Sequence, residues 1–148
     1  MSTISHQIRV IYGDTDQMGV VYYANYLRYF EAGRGAWCRA MRAPYRELEA
    51  DGFFLPVVEA QLKYHRPAHY DDLLRVETRV SEVGRSRVRF EYRIVREDDG
   101  CVLCTGHTVH ACLHRTGRLA RLPDALRTVL RAGAEVPSEG DEANEEDA

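Results

Sequence analysis

The feature that most constrains this chain is residues 12–42, YGDTDQMGVVYYANYLRYFEAGRGAWCRAMR, where an acidic, glycine-bearing turn runs into a long helical pattern. Gly13, Asp14, Thr15, Asp16 and Gly19 make the turn. Val20, Val21, Tyr22 and Tyr23 form a short apolar link, and residues 25–41 carry the helical spacing. Along that helix the polar side chains Arg28, Glu31, Arg34 and Arg39 recur at intervals of three to five. At about 100° per residue they fill a stripe of roughly 140°, leaving roughly 220° to Tyr26, Leu27, Phe30, Gly33, Ala36, Trp37, Cys38 and Met41. So wide an apolar face predicts a helix that is mostly buried. Gly33 and Gly35 each cost about 1 kcal/mol of helix propensity relative to alanine, which predicts close packing against the backbone at both positions. A sheet wrapped around the helix supplies such packing.

The rest of the chain supplies the strands. Residues 4–12 alternate, with Ile8, Val10 and Tyr12 against Gln7 and Arg9, and read as a half-buried first strand. Pro44 and Gly52 bracket a short helix over residues 44–51, followed by a second strand over 54–64 and a turn over 67–72. Residues 73–83 place Leu74, Val76, Thr78 and Val80 on one face, and residues 87–95 do the same with Val88, Phe90, Tyr92 and Ile94. Asp98, Asp99 and Gly100 signal a hairpin before a strand over 101–115. Pro123 opens a short terminal helix that fades near Gly133. Strand, long helix and then at least four strands make an α+β plan in which one antiparallel sheet covers one helix.

A chain of 148 residues suits one domain with one core. Its 20 basic residues are arginine except Lys63, and its acids are unevenly placed: residues 135–148 hold seven acids and no base. Without those seven the body is +4, although the whole chain is −3. The segment 135–148 reads as a disordered, solubilising acidic tail. A body charge of +4 without a nucleic-acid motif argues against nucleic acid as a partner. The sequence has no apolar run of membrane-spanning length and no signal-peptide core, so a cytoplasmic protein is expected, with its four cysteines as free thiols.

Arg9, Val10, Thr15, Asp16, Gly19, Val20, Val21, Ala24, Tyr26 and Tyr29, in this order and spacing, resemble the signature of the 4-hydroxybenzoyl-CoA thioesterase family, most of all its YbgC-type branch. The stretch PVVEAQLKYHRPAHYDD, residues 56–72, is similar to the family as well, so the resemblance covers residues 5–130. It implies a hotdog fold, a long central helix wrapped by a five- or six-stranded antiparallel sheet. The hotdog domain would occupy residues 1–134, ahead of the tail. It further implies homo-oligomers, dimers joined through their sheets and often tetramers, and an acyl-CoA thioesterase that uses no cofactor and no metal. By the same resemblance Asp16 is the catalytic carboxylate, as nucleophile or general base, and the backbone N–H of Tyr23 polarises the thioester carbonyl. The YbgC branch often carries histidine where this chain has Tyr23, a departure that leaves the amide in place.

The residues themselves allow this chemistry. Thioester hydrolysis needs a nucleophile or base, donors for the carbonyl oxygen and a groove for the acyl group. Asp16 lies just ahead of a helix N-terminus, where unpaired N–H groups and the positive end of the helix dipole gather. Gly19, Val21 and Tyr26 are the expected substrate contacts, beside the tyrosines 22, 23 and 29. Asp14 is expected to hold the turn, Glu59 to pair with an arginine of the long helix, and Glu31 with Arg34. Arg85 and Arg87, in the segment 84–89, are the expected contacts for the phosphates of coenzyme A. Cys101, Cys104, His107 and His110 imitate a zinc motif, but on one strand residues three apart face opposite sides, so no metal is expected. The substrate is thus expected to be an acyl-CoA, or the same acyl group on an acyl-carrier protein. A non-catalytic acyl-CoA or acyl-carrier-protein binding protein on the same fold is the alternative, and a hotdog dehydratase the third reading.

Overall fold

Period-two alternation becomes sheet over most of the residues that carry it, but the expected first strand over residues 4–12 ends at Arg9, and Tyr12 opens a 3-10 turn. The computed structural model describes residues 2–134, and the acidic segment read as a disordered tail lies outside them. Chain order is β1 (Ile4–Arg9), α1 (Asn25–Ala40), α2 (Tyr45–Ala50), β2 (Phe53–Phe54), β3 (Val57–Tyr64), β4 (Leu73–Val83), β5 (Arg87–Arg96), β6 (Val102–Ala111), β7 (Leu113–His114) and α3 (Asp124–Ala134). Five strands form one antiparallel sheet in the order β1-β4-β5-β6-β3, and β2 pairs with β7 in a separate ribbon. Among the described residues no helix is long and apolar enough to cross a membrane.

The inward faces of β4 and β5 are the expected ones: Leu74, Val76, Thr78 and Val80, then Val88, Phe90, Tyr92 and Ile94, are all buried. α1 lies across this face. Its buried stripe is Tyr26, Tyr29, Phe30, Gly33 and Trp37, narrower than the apolar pattern suggested, since Leu27 is 40% exposed. Phe30 stacks on Tyr92 with ring centroids 4.3 Å apart, and Trp37 meets Phe90 edge-on at 5.7 Å. At Gly33 the helix comes closest to the sheet: a methyl group there would sit 2.6 Å from both Thr78 Oγ1 and Val76 Cγ1. Gly35 does not share this role, because only the flexible end of Arg39 comes near it.

Two expected strands are divided. The run 54–64 breaks at Pro56, which has no N–H to give a ladder, so β2 and β3 join different sheets. The run 101–115 breaks at Cys112, whose N–H goes to the Ser86 carbonyl, 2.7 Å away.

Between α1 and the sheet lies a buried polar network. His110 Nδ1 donates to the Leu55 carbonyl at 2.9 Å, which makes Nε2 an acceptor for the Thr108 hydroxyl at 2.9 Å and for the Arg34 guanidinium at 3.4 Å. Tyr92 bonds Thr108 at 2.6 Å. Arg34 therefore turns inward to His110, and among the described residues the expected Glu31–Arg34 pair is not made. Burial pushes His110 down to about 4, so it is neutral at neutral pH.

Two tests follow from this packing. Gly33→Ala will lower stability by about 1–3 kcal/mol in denaturant unfolding, because overpacking outweighs the propensity gain, whereas Gly35→Ala will be neutral or stabilising. On acidification the unfolded chain takes up a proton at His110 below about pH 6.5 while the folded chain resists until about 4. Stability will therefore fall across that window by roughly 3 kcal/mol in wild type, and His110→Gln will remove most of that slope.

Candidate active site

The turn between β1 and α1 is folded around Asp14. Its carboxylate is 6% exposed and accepts a hydrogen bond from Tyr29 Oη at 2.9 Å and one from Arg28 Nη1 at 3.3 Å, both from α1. Its carbonyl accepts from the Asn25 side chain and from the Tyr22 N–H, each at 2.9 Å. Burial and the neighbouring carboxylate raise the Tyr29 phenol well above its ordinary range, so it stays a donor. Asp14 thus ties the turn to the first two helical turns, the structural part expected of it.

Asp16 occupies the tip of the small hairpin that Asp14 anchors. Thr15 bridges to Val21, and the Asp16 N–H reaches the Val20 carbonyl at 2.9 Å. Asp16 Oδ1 accepts from the Met18 N–H at 2.9 Å, an Asx turn, and the Gly19 N–H returns to the Asp16 carbonyl at 3.0 Å. Gly19 has φ +80°, a conformation glycine adopts without strain, and that accounts for the residue. Asp16 does not cap α1. The residue ahead of the helix is Ala24, which has no capping side chain. Among the described residues neither the Tyr23 nor the Ala24 N–H makes a hydrogen bond, so the helix opens with donors uncommitted.

Val21, Tyr23 and Tyr26 line one open pocket of about 240 Å³ with Tyr64, His65, Arg66 and Pro67. Tyr26 and Tyr64 meet edge to face at 5.4 Å, and Tyr26 Oη accepts from the Ala68 N–H at 3.2 Å. Val21 is held from the other side, its N–H on the Ala68 carbonyl at 2.8 Å. Asp16 and Gly19 stand outside this lining. Tyr64, His65 and Arg66 were not anticipated from the sequence. Strand parity could have found Tyr64, since Ala60, Leu62 and Tyr64 share the face of β3 that pairs with inward residues of β6.

Arg85 and Arg87 sit elsewhere. Arg85 lies in the β4–β5 turn and Arg87 opens β5, and there the Arg85 carbonyl accepts from the Leu122 N–H and the Arg87 carbonyl from the Gly84 N–H. The Asp16 hairpin joins the opposite end of β4, through the Val10 N–H on the Asp72 carbonyl. At about 3.3 Å per residue β4 separates the two by roughly 35 Å, so one chain does not bring them together. Glu59 pairs with His107 at 3.2 Å rather than with an arginine of α1, because both lie on the outer face of the sheet. His107 and His110 thus serve opposite faces of β6.

If Asp14 holds the loop, Asp14→Ala will destabilise the protein by about 2 kcal/mol, and in a double-mutant cycle with Tyr29→Phe the two losses will not add.

The comparisons with known proteins agree with this architecture. The sequence profile of the thioesterase-like superfamily matches residues 10–130. An acyl-CoA thioesterase YbgC of Haemophilus influenzae is 41% identical over 93 residues, 62% of this chain and 68% of that one. A 1,4-dihydroxy-2-naphthoyl-CoA hydrolase of Synechococcus elongatus is 31% identical over 138 residues, 91% of this chain and 100% of that one. A Thermus thermophilus protein of solved structure superposes with a TM-score of 0.81 at 37% identity, covering 87% of this chain and 98% of its own. With the family profile over most of its length, a five-stranded sheet around α1 and relatives of this kind, the chain belongs to the thioesterase-like superfamily and has its hotdog fold.

Proposed function

We propose that this protein hydrolyses acyl-CoA thioesters, with Asp16 as the reacting carboxylate and the Tyr23 N–H as a donor to the thioester carbonyl. The observation that carries the proposal is the pairing of a carboxylate on a glycine-bearing hairpin with a helix start whose first amides are uncommitted. The thioester carbonyl oxygen accepts from Tyr23 N–H, which stabilises the charge that develops there. Asp16 then either attacks the carbonyl carbon, expelling CoA thiolate and leaving an anhydride for water to open, or takes a proton from a water that attacks instead. In both routes the C–S bond breaks, a C–O bond forms, and the thiolate takes up a proton.

The acyl group lies in the pocket of Val21, Tyr23 and Tyr26, with Gly19 shaping the approach. The names of the relatives support coenzyme A as the carrier, and an aryl acyl group as readily as an aliphatic one. An acyl-carrier-protein thioester would present the same reacting bond. Arg85 and Arg87 hold the CoA phosphates of a neighbouring protomer's site in a homo-oligomer, a reading supported by their distance from the hairpin of the same chain. Strand β3, an exposed edge with half-exposed Val57 and Val58, supports such an assembly, a dimer or a tetramer of two dimers. Four free thiols fit a cytoplasmic setting.

Free-thiol release from short, medium, long and aromatic acyl-CoAs tests the reading. Wild type will hydrolyse members of the panel, and Asp16→Ala, folded and of unchanged oligomeric state, will lose at least 100-fold in kcat, of the order set by a removed nucleophile or base. Saturable binding of an acyl-CoA without thiol release would replace catalysis by a binding role.

A further inference from the structure

The start of α1 is held in an unusual way. The residue ahead of the helix, Ala24, offers no capping side chain, and the Tyr23 and Ala24 N–H groups stay uncommitted among the described residues. What fixes the Tyr23–Ala24 peptide is a contact to the end opposite its Ala24 N–H: Tyr64 Oη, at the end of β3, donates to the Tyr23 carbonyl at 3.0 Å. No backbone N–H reaches that carbonyl among the described residues. The Tyr64 ring is in turn braced edge-on by Tyr26 at 5.4 Å and lines the same pocket as Tyr23.

We infer that Tyr64 is a positioning residue for catalysis, which orients and polarises the peptide bond between Tyr23 and Ala24 so that its Ala24 N–H points, beside the Tyr23 N–H, at the thioester carbonyl. The inference rests on the Asp16–Tyr23 reading of the site and adds a residue to it. A side-chain cap at the helix start would satisfy amides by occupying them. A hydroxyl donated to the Tyr23 carbonyl holds the Tyr23–Ala24 peptide plane from behind and leaves its Ala24 N–H for substrate. Donation to the Tyr23 C=O also draws electron density toward oxygen, and hydrogen bonds in a chain strengthen one another, so the Ala24 N–H of the same peptide becomes a better donor. The contribution grows as charge develops on the substrate oxygen, and it therefore appears in kcat rather than in KM.

The experiment compares wild type, Tyr64→Phe, Tyr64→Leu and Asp16→Asn in steady-state thiol release from the best acyl-CoA of the panel, with thermal unfolding alongside. Tyr64→Phe keeps the ring and the pocket wall and removes only the hydroxyl. Its kcat will fall about five- to tenfold with KM within twofold, as one lost hydrogen bond implies. Its unfolding midpoint will stay near that of wild type, because Tyr64 is half-exposed. Tyr64→Leu, which also removes the pocket wall, will raise KM in addition. Wild-type kcat in Tyr64→Phe, or a loss confined to KM, overturns the positioning role. If Asp16→Asn is inactive in that case, the reading of the site survives and only the role of Tyr64 falls. Full activity in Asp16→Asn overturns the reading beneath it as well.

Discussion

The hairpin of the proposed site depends on one buried carboxylate, that of Asp14, which is bound up in holding the loop to α1. Asp14 is almost fully enclosed and is satisfied by Tyr29 and Arg28 through its side chain and by Asn25 and Tyr22 through its carbonyl. A buried charge is tolerated only when it is paired and hydrogen-bonded, so these contacts cannot be given up singly. They fasten the hairpin that carries Asp16 to the first two turns of α1. The helix is fixed in turn by Gly33 against Val76 and Thr78 and by the stacking of Phe30 on Tyr92. Sheet, helix and hairpin thus form one rigid series, and rigid placement is what a site built on uncommitted amides requires.

The two aspartates of the D-T-D run show how one residue type is placed in two different environments two residues apart. Asp14 points inward to donors on α1, whereas Asp16, two residues on, sits at the hairpin tip with Oδ1 on its own turn. Polarity is used economically at the helix start. Ala24 contributes no cap, and the surrounding order comes from Asn25, Tyr26 and Tyr64, which bond carbonyls or accept from neighbouring loops, so that among the described residues the Tyr23 and Ala24 N–H groups stay unoccupied.

Much of this was readable in the sequence because local pattern and tertiary burial agree. The alternation of Leu74, Val76, Thr78 and Val80 is set by one buried face, and the strand forms over the residues it marks. Gly33 announced a close approach correctly, while Gly35, the same residue type two positions later, did not have one, since composition cannot say which side of a helix meets the sheet. Charge pairing was the least readable. Glu31 and Arg34 have helical spacing, yet Arg34 is drawn inward by His110, and Glu59 finds His107 across the sheet rather than an arginine of α1. Such pairs are fixed by register between distant strands, which no local window contains. Tyr64 escaped for the same reason: its hydrogen bond to the Tyr23 carbonyl spans 41 residues.

The most direct test of the account is a crystal structure of the protein with a slowly reacting acyl-CoA analogue whose thioester sulfur is replaced by carbon. The analogue's carbonyl oxygen is expected at hydrogen-bond distance from the Tyr23 N–H, with its carbonyl carbon facing the Asp16 carboxylate and its acyl group against Tyr26. A carbonyl bound away from the start of α1, with Asp16 still engaged only in its own turn, would contradict the account.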